Sequence, residues 1–281
     1  MPRMPSAARP GHGQSEASDR GREPPEPKPS VTLVLPAYNE QERIGSALDE
    51  LFAYLNGTGA IRSGGRPASE MGAVDVLVVD DGSTDETTTI VTARQQAETE
   101  VKVELLRRPH AGKGAAVQAG MLAAQGDYII FADSDLATPP HQMPLLTAAL
   151  AEHDIALGSR VQPDGSDRRS TQPRYRRLLG RIFHAIAAFW VTGPVPDTQC
   201  GFKGFTRQAA HDLFMRQKIG GIVFDAEIIH LARKRGYMMA VVPVQWADKR
   251  GSRMRVRPGL ALSVVYDLFR IPLIHRRVPK R

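Results

Sequence analysis

Cysteine is almost absent: Cys200 stands alone in 281 residues. That excludes an internal disulfide and fits a reducing compartment. With no second Cys and no neighbouring His, Cys200 is not read as a catalytic thiol. No uninterrupted apolar run approaches the roughly 20 residues of a spanning helix, so an integral membrane protein is not expected. Met1–Pro29 lacks the apolar stretch of a signal peptide. It also lacks large apolar side chains, cannot offset its ordering entropy, and is expected to be a disordered leader. His110 is read as a loop residue, and the other histidines form no metal-ligand spacing. Gly112-Lys113-Gly114 lets backbone approach a phosphate but lacks the rest of a P-loop, which argues against ATP hydrolysis. No helix-turn-helix or aromatic stacking pattern is present, so nucleic acid is not the expected partner.

The charge that is present is unevenly placed. The chain carries a formal +7, yet Lys249–Arg281 alone holds ten Lys/Arg against Asp267, and Arg160–Arg181 holds seven Arg against Asp164 and Asp167. Those two stretches exceed the whole-chain excess, so the remainder is net acidic. Basic segments on an acidic body point to specific anionic partners, although either can be a solvated face.

Apolar, β-branched runs at Val31–Leu35, Val74–Val79, Val101–Arg107, Tyr128–Ala132 and Asp154–Gly158 read as strands. Helical spacing fills Glu42–Leu55, Asp85–Glu98, Ala115–Ala124 and Pro140–Glu152 between them. Ser83 or Thr84 is expected to cap the second helix. Further on, Leu178–Val191 reads as a helix, Pro194–Phe205 as a loop-rich segment, Phe224–Arg235 as a helix and Met238–Val244 as a strand. Alternating strands and helices predict an α/β fold, a mostly parallel central sheet with helices on both faces. Ligands of such sheets bind beyond the carboxyl ends of the strands, where Pro36, Asp80 and Asp133 stand. Asp133 and Asp135, one residue apart at a strand end, can share one hard divalent cation completed by diphosphate oxygens, or simply cap a turn. Asp80-Asp81-Gly82-Ser83 is likewise either a turn or a carboxylate facing a base or ribose.

In that order, Pro36-Ala37-Tyr38-Asn39-Glu40, Val79-Asp80-Asp81-Gly82-Ser83, Lys113-Gly114 and Asp133-Ser134-Asp135 resemble the family 2 glycosyltransferases of GT-A (Rossmann-like) fold. Gly158-Ser159-Arg160 and Asp197-Thr198-Gln199-Cys200-Gly201-Phe202-Lys203 resemble the branch acting on dolichyl or polyprenyl phosphate. Within it, Ala137-Thr138-Pro139 and the Asp197–Lys203 string look most like the dolichyl-phosphate β-glucosyltransferases. The resemblance runs from about Val31 to about Trp246 and implies a catalytic domain over 30–248; the residues themselves read as a basic amphipathic segment over 249–281. It implies that Pro36, Tyr38, Glu40, Val79 and Asp81 line the nucleotide-sugar pocket with Lys113 and Ser134. Asp133 and Asp135 would hold Mg²⁺ or Mn²⁺, and Arg160 and Arg176 would receive the acceptor phosphate. Related mannosyltransferases place a metal-binding Gln where this chain has Ala137, which weakens a mannosyl assignment and leaves the third metal ligand undefined.

The expected reaction is inverting transfer of a hexose, glucose from UDP-glucose first and mannose from GDP-mannose second, onto a polyprenyl phosphate. A phosphate monoester is largely dianionic near neutrality and attacks without a base. A soluble hydroxyl acceptor, the competing reading, would need one, and Asp197, Asp225 and Glu227 are the candidates. A non-enzymatic nucleotide or nucleic-acid binder is the remote alternative. Leu260–Ile274 reads as an amphipathic helix broken at Pro272, followed by basic residues. It is either a peripheral anchor at the cytoplasmic face of a membrane or a helix docked on the domain's own core. Oligomeric state is not legible.

Overall fold

Short β-branched runs of this chain become strands, and the strands join one sheet. The computed structural model describes residues 27–59, 65–162, 164, 188–247 and 258–281, with side chains in the last stretch from residue 263 onward. The order of elements is β1 (Val31–Ala37), α1 (Ile44–Leu55), β2 (Val74–Asp80), α2 (Thr87–Ala97), β3 (Val103–Arg107), α3 (Lys113–Ala123), β4 (Tyr128–Ala132), α4 (Met143–Leu150), β5 (Ile155–Ser159), β6 (Phe202–Thr206), α5 (Arg207–Arg216), α6 (Phe224–Arg235), β7 (Met239–Pro243) and α7 (Pro258–Ile274). Strand order across the sheet is β3-β2-β1-β4-β6-β5-β7. β1 pairs in parallel with β2 and β4, β2 with β3, and β5 with β7. Among the described strands, only β6 runs antiparallel, between β4 and β5.

The period of two along each strand divides the core into two layers. Val31, Leu33 and Leu35 pack with Val76, Val78 and Ile130 against Leu48 and Leu51 of α1 and Leu146 of α4. Val34, Val79, Ile129 and Phe131 face the other way, onto Val117 and Met121 of α3, Leu213 of α5 and Ile228 of α6. Helices therefore cover both faces, as a buried parallel sheet requires.

Several expectations need correction. Pro194–Phe205 is not all loop, because its last residues begin β6, and α5 follows with Thr206 as its cap. The strand was hidden by Lys203, a charged residue at a fully buried position. Neither Ser83 nor Thr84 caps α2. They hold Asn39 instead, while the Asp85 carboxylate accepts from Thr87 N at 3.0 Å. Pro272 does not break the C-terminal helix, which continues to Ile274. That helix docks on the domain: Leu268 and Ile271 are buried with Val191, Ile219, Val223 and Ala226. The leader up to residue 26, Arg176, most of the Leu178–Val191 segment and residues 248–257 lie outside the described residues.

Lys203 Nζ donates to Cys200 O at 2.6 Å and to Asp225 Oδ1 at 2.5 Å, with both side chains buried. Burial lifts the Asp225 carboxyl above its ordinary range, against the opposing pull of Lys203. Removing one partner of such a pair leaves a buried charge uncompensated. Lys203→Met is expected to cost about 3–5 kcal/mol in a urea titration, and Lys203→Met with Asp225→Leu should recover most of that loss.

Candidate active site

The carboxyl ends of β1, β2 and β4 meet at one edge. Pro36 and Val79 are register partners, and Asp81 N donates to Ala37 O at 2.9 Å, so the loops after β1 and β2 leave side by side. They are laced together. Asn39, at φ 54°, donates its N–H to Ser83 Oγ at 2.9 Å and accepts from Thr84 N at 2.8 Å. Asn tolerates this left-handed backbone better than most residues. Tyr38 is exposed and stacks on His110 with ring centroids 4.1 Å apart, giving the edge a flat aromatic surface.

Asp81 is buried beneath that surface. It accepts from Ala111 N at 3.1 Å and Gly112 N at 2.8 Å, His110 Nδ1 lies 2.8 Å from it, and Arg108 pairs with it at 3.6 Å. Its carboxylate thus shapes the loop that carries Lys113, and a nucleotide would have to share oxygens already engaged. Gly112, at φ 100°, is where a Cβ would strike Gly220 O, so the turn lies directly on neighbouring backbone.

From that turn Lys113 Nζ reaches Asp133 Oδ1 at 2.5 Å. Across the site Arg43 grips Glu40 with two donors, at 2.7 and 2.6 Å, and gives a third to Asp135 Oδ2 at 3.0 Å. Asp135 Oδ1 accepts from Ala137 N at 3.1 Å, and Ser134 between the two aspartates is buried. Partial burial, and then the charge of Asp133, raise the Asp135 pKa above the ordinary carboxylate value. Burial works against the Lys113 ammonium, but Asp133, Asp225 and Asp135 together hold its pKa above the ordinary lysine value. Two like charges crowded at one strand tip call for a counter-cation.

The donor set fits a hard divalent ion. Two carboxylates stand one residue apart on one turn, while Ala137 offers no side-chain donor and no group of three His, Cys, Asp or Glu suited to a metal occurs among the described residues. An ion held there would complete its shell with water and phosphate oxygens. Asp133 is fixed from behind, donating its N–H to Gly201 O at 3.0 Å, and a Cβ on Gly201 would fall 2.2 Å from Asp133 Oδ2.

At the end of β5, Arg160 donates Nε and one Nη to Asp197 at 2.7 and 2.8 Å, and its guanidinium lies 5.7 Å from the Trp246 ring centre. Burial opposes its charge, and the hydrogen bonds and charge of Asp197 more than offset this, raising its pKa. Burial pushes the Cys200 thiol up to about 12, so it stays protonated. Asp197, Asp225 and Glu227 are all buried and committed: to Arg160, to Lys203, and to His275 with two backbone amides. Sequence reading missed Arg43, His110 and Gly201. Arg43 left a signal in its i,i+3 spacing from Glu40, and Gly201 in its place within the Asp197–Lys203 string.

The sequence profile of Glycosyl transferase family 2 matches residues 32–214. A dolichyl-phosphate beta-glucosyltransferase of Trichomonas vaginalis is 36% identical over 255 residues, covering 88% of this chain and 72% of that protein. Proteins of the same name from Drosophila melanogaster and Homo sapiens are 34% and 31% identical, each over 81% of this chain and 70% of their own length. Among solved structures, glucosyl-3-phosphoglycerate synthase from Mycobacterium tuberculosis with Mn²⁺, UDP and its product superposes with a TM-score of 0.56 at 19% identity, over 90% of this chain and 81% of its own. S. aureus TarS with UDP-GlcNAc gives 0.54 at 18%, over 88% and 67%. At those identities the structures establish the shared fold.

Gly201→Ala should push the Asp133 carboxylate out of place. Mn²⁺ affinity measured by calorimetry is expected to fall about tenfold, as when a metal ligand loses its support, and an unchanged affinity would refute this role for Gly201.

Proposed function

The chain belongs to glycosyl transferase family 2, and from that premise we propose that it moves glucose from UDP-glucose onto the phosphate of a dolichol-type polyprenol, inverting the anomeric centre. One observation carries the reading. The turn bearing Lys113 and the tip bearing Asp133 and Asp135 close on one another at the carboxyl edge of the sheet, beside the stacked Tyr38 and His110. The names of the relatives support the donor sugar and the acceptor.

In this reading the Tyr38–His110 face receives the base, with Pro36, Glu40, Val79 and Asp81 building the pocket around it. Lys113 offers its ammonium to the diphosphate. Asp133 and Asp135 would hold Mg²⁺ or Mn²⁺, which supplies charge stabilisation to the leaving diphosphate. Arg160, kept in orientation by Asp197, meets the acceptor phosphate together with Arg176. A phosphate oxygen forms the new bond to C1 as the bond from C1 to the diphosphate oxygen breaks, and no proton has to be removed. That suits a site whose three named carboxylate bases are each engaged elsewhere. A hydroxyl acceptor would require one of them to be released. GDP-mannose is the second donor to test, and Ala137 counts against it.

Contact with the lipid is the other half of the reading. No helix among the described residues is long and apolar enough to cross a membrane. On the solvent side of α7, Val265, Tyr266, Phe269 and Leu273 are exposed, and Phe189 beside them is 90% exposed. Trp190 joins this face, its ring 5.9 Å from that of Phe269. Arg270, Arg276, Arg277 and Lys280 lie along or just beyond the same helix. An apolar face bordered by cations is suited to peripheral seating on an anionic, cytoplasmic leaflet.

Purified protein given Mg²⁺ or Mn²⁺, polyprenyl phosphate and labelled nucleotide sugars should move label from UDP-glucose into the organic phase. Label from GDP-mannose alone, or entering only water-soluble product, would overturn the assignment. Asp135→Ala is expected to lower turnover by about 10²–10³-fold or more. Arg160→Ala should raise the KM for the lipid phosphate while leaving UDP-glucose binding intact. In vesicle sedimentation, Phe189→Ser with Phe269→Ser should weaken binding to anionic vesicles roughly tenfold.

A further inference from the structure

Glu227, on the first turn of α6, is a fully buried carboxylate that the proposed reaction does not use. Its Oε1 accepts from Lys218 N at 2.8 Å and its Oε2 from Ile219 N at 2.9 Å. His275, just past the end of α7 and also buried, places Nε2 2.6 Å from Oε1. The fastening is doubled by Lys218 Nζ, which donates to Ile274 O at 3.1 Å. The 217–221 loop is therefore tied to the C-terminal helix by hydrogen bonds as well as by the packing of Ile219 against Leu268 and Ile271.

The other side of this loop holds the Lys113 turn. Gln217 Nε2 donates to Gly114 O at 2.9 Å, and Gly220 O accepts from Ala115 N at 3.1 Å. There is no slack in the contact: a Cβ on Gly112 would lie 2.8 Å from Gly220 O, and one on Gly114 would lie 2.7 Å from Gly221 O. A continuous path of hydrogen bonds thus runs from α7 through Glu227 and the loop to the turn whose lysine meets Asp133.

We propose that Glu227 and His275 are positioning residues for donor binding: they clamp the 217–221 loop to the C-terminal helix, and the loop holds the Gly112–Lys113 turn at the diphosphate end of the site. The proposal rests on the reading of Lys113 as a diphosphate contact. Neither residue touches the reactants. Each acts through backbone, Glu227 by ordering two amides and His275 by holding the Glu227 carboxylate toward them. His275 Nδ1 is buried without a hydrogen-bond partner among the described residues, so Nε2 makes the ring's described hydrogen bond, and a glutamine amide can replace its donor.

The test is calorimetric titration of UDP, with Mn²⁺ present, into the full-length chain and its His275→Ala, His275→Gln, Glu227→Gln and Lys113→Ala variants. His275→Ala and Glu227→Gln should raise the UDP Kd about fivefold or more, with His275→Gln staying within about twofold of the parent, the scale of coupling between linked sites. In turnover assays the same two variants should raise the donor KM and leave the KM for polyprenyl phosphate unchanged. Circular dichroism and titration stoichiometry establish the folded fraction. Should His275→Ala not fold, Glu227→Gln, close in shape to the parent, decides the matter. If folded His275→Ala and Glu227→Gln bind UDP like the parent while Lys113→Ala binds it weakly, the clamp serves the fold alone and the proposal is overturned. If Lys113→Ala also binds UDP like the parent, the reading of the turn itself falls.

Discussion

Asp133 carries two constraints at once. It ends a central strand, where the parallel sheet opens, and it stands one residue from a second carboxylate in a partly enclosed place. Charges of the same sign so close raise each other's energy. The surrounding structure answers with cations brought from different elements: Lys113 from the start of α3 and Arg43 from just before α1. Each is itself held. Asp81 orders the loop before Lys113, and Glu40 grips Arg43 with two hydrogen bonds. The geometry of the edge follows from neutralising one acidic strand tip. The same arrangement leaves hard oxygen donors facing cationic side chains, a pattern suited to a divalent ion with a diphosphate.

Much of this edge was legible in the chain, because strand ends are marked by abrupt changes of composition. The apolar runs ending at Leu35, Val79 and Ala132 lie in strands where their patterns place them, although β1 continues through Pro36 to Ala37 and β2 through Asp80 before their turns begin. Phe224–Arg235 was equally plain, with acids in its first turn, bases in its last and Gly236 in the left-handed conformation at its end. β6 was not legible. A buried Lys203 looks like a surface residue until Asp225, distant in sequence, is seen to compensate it. α5 was not assigned, its first turn of Arg207 and Gln208 giving no apolar start. Partnerships across the sheet leave little local trace, so Arg43 with Asp135 and Gly201 behind Asp133 needed the fold.

The carboxylates outside the Asp133–Asp135 tip are informative through what engages them. Asp197 orients Arg160, Asp225 compensates Lys203, and Glu227 collects two amides and an imidazole. An enzyme activating a hydroxyl keeps a carboxylate within reach of the acceptor proton. A phosphate acceptor arrives with its negative charge and needs cations instead, so acids that hold basic and backbone groups in place are the expected complement of such chemistry.

In the proposed reaction the acceptor's chain is apolar and its head is charged, so a surface serving it would have to meet a bilayer while the pocket stays shaped for a water-soluble nucleotide. α7 spans these demands. Its outer side exposes Tyr266, Phe269 and Leu273, whereas its inner side buries Leu268, Ile271 and, at its end, His275 against the loop that supports the Lys113 turn. Interdigitated interiors yield little, so displacement of a packed helix is carried to its neighbours. If, as proposed, α7 faces lipid on one side and braces the Lys113 turn on the other, the geometry of that turn depends on how the C-terminal segment is seated.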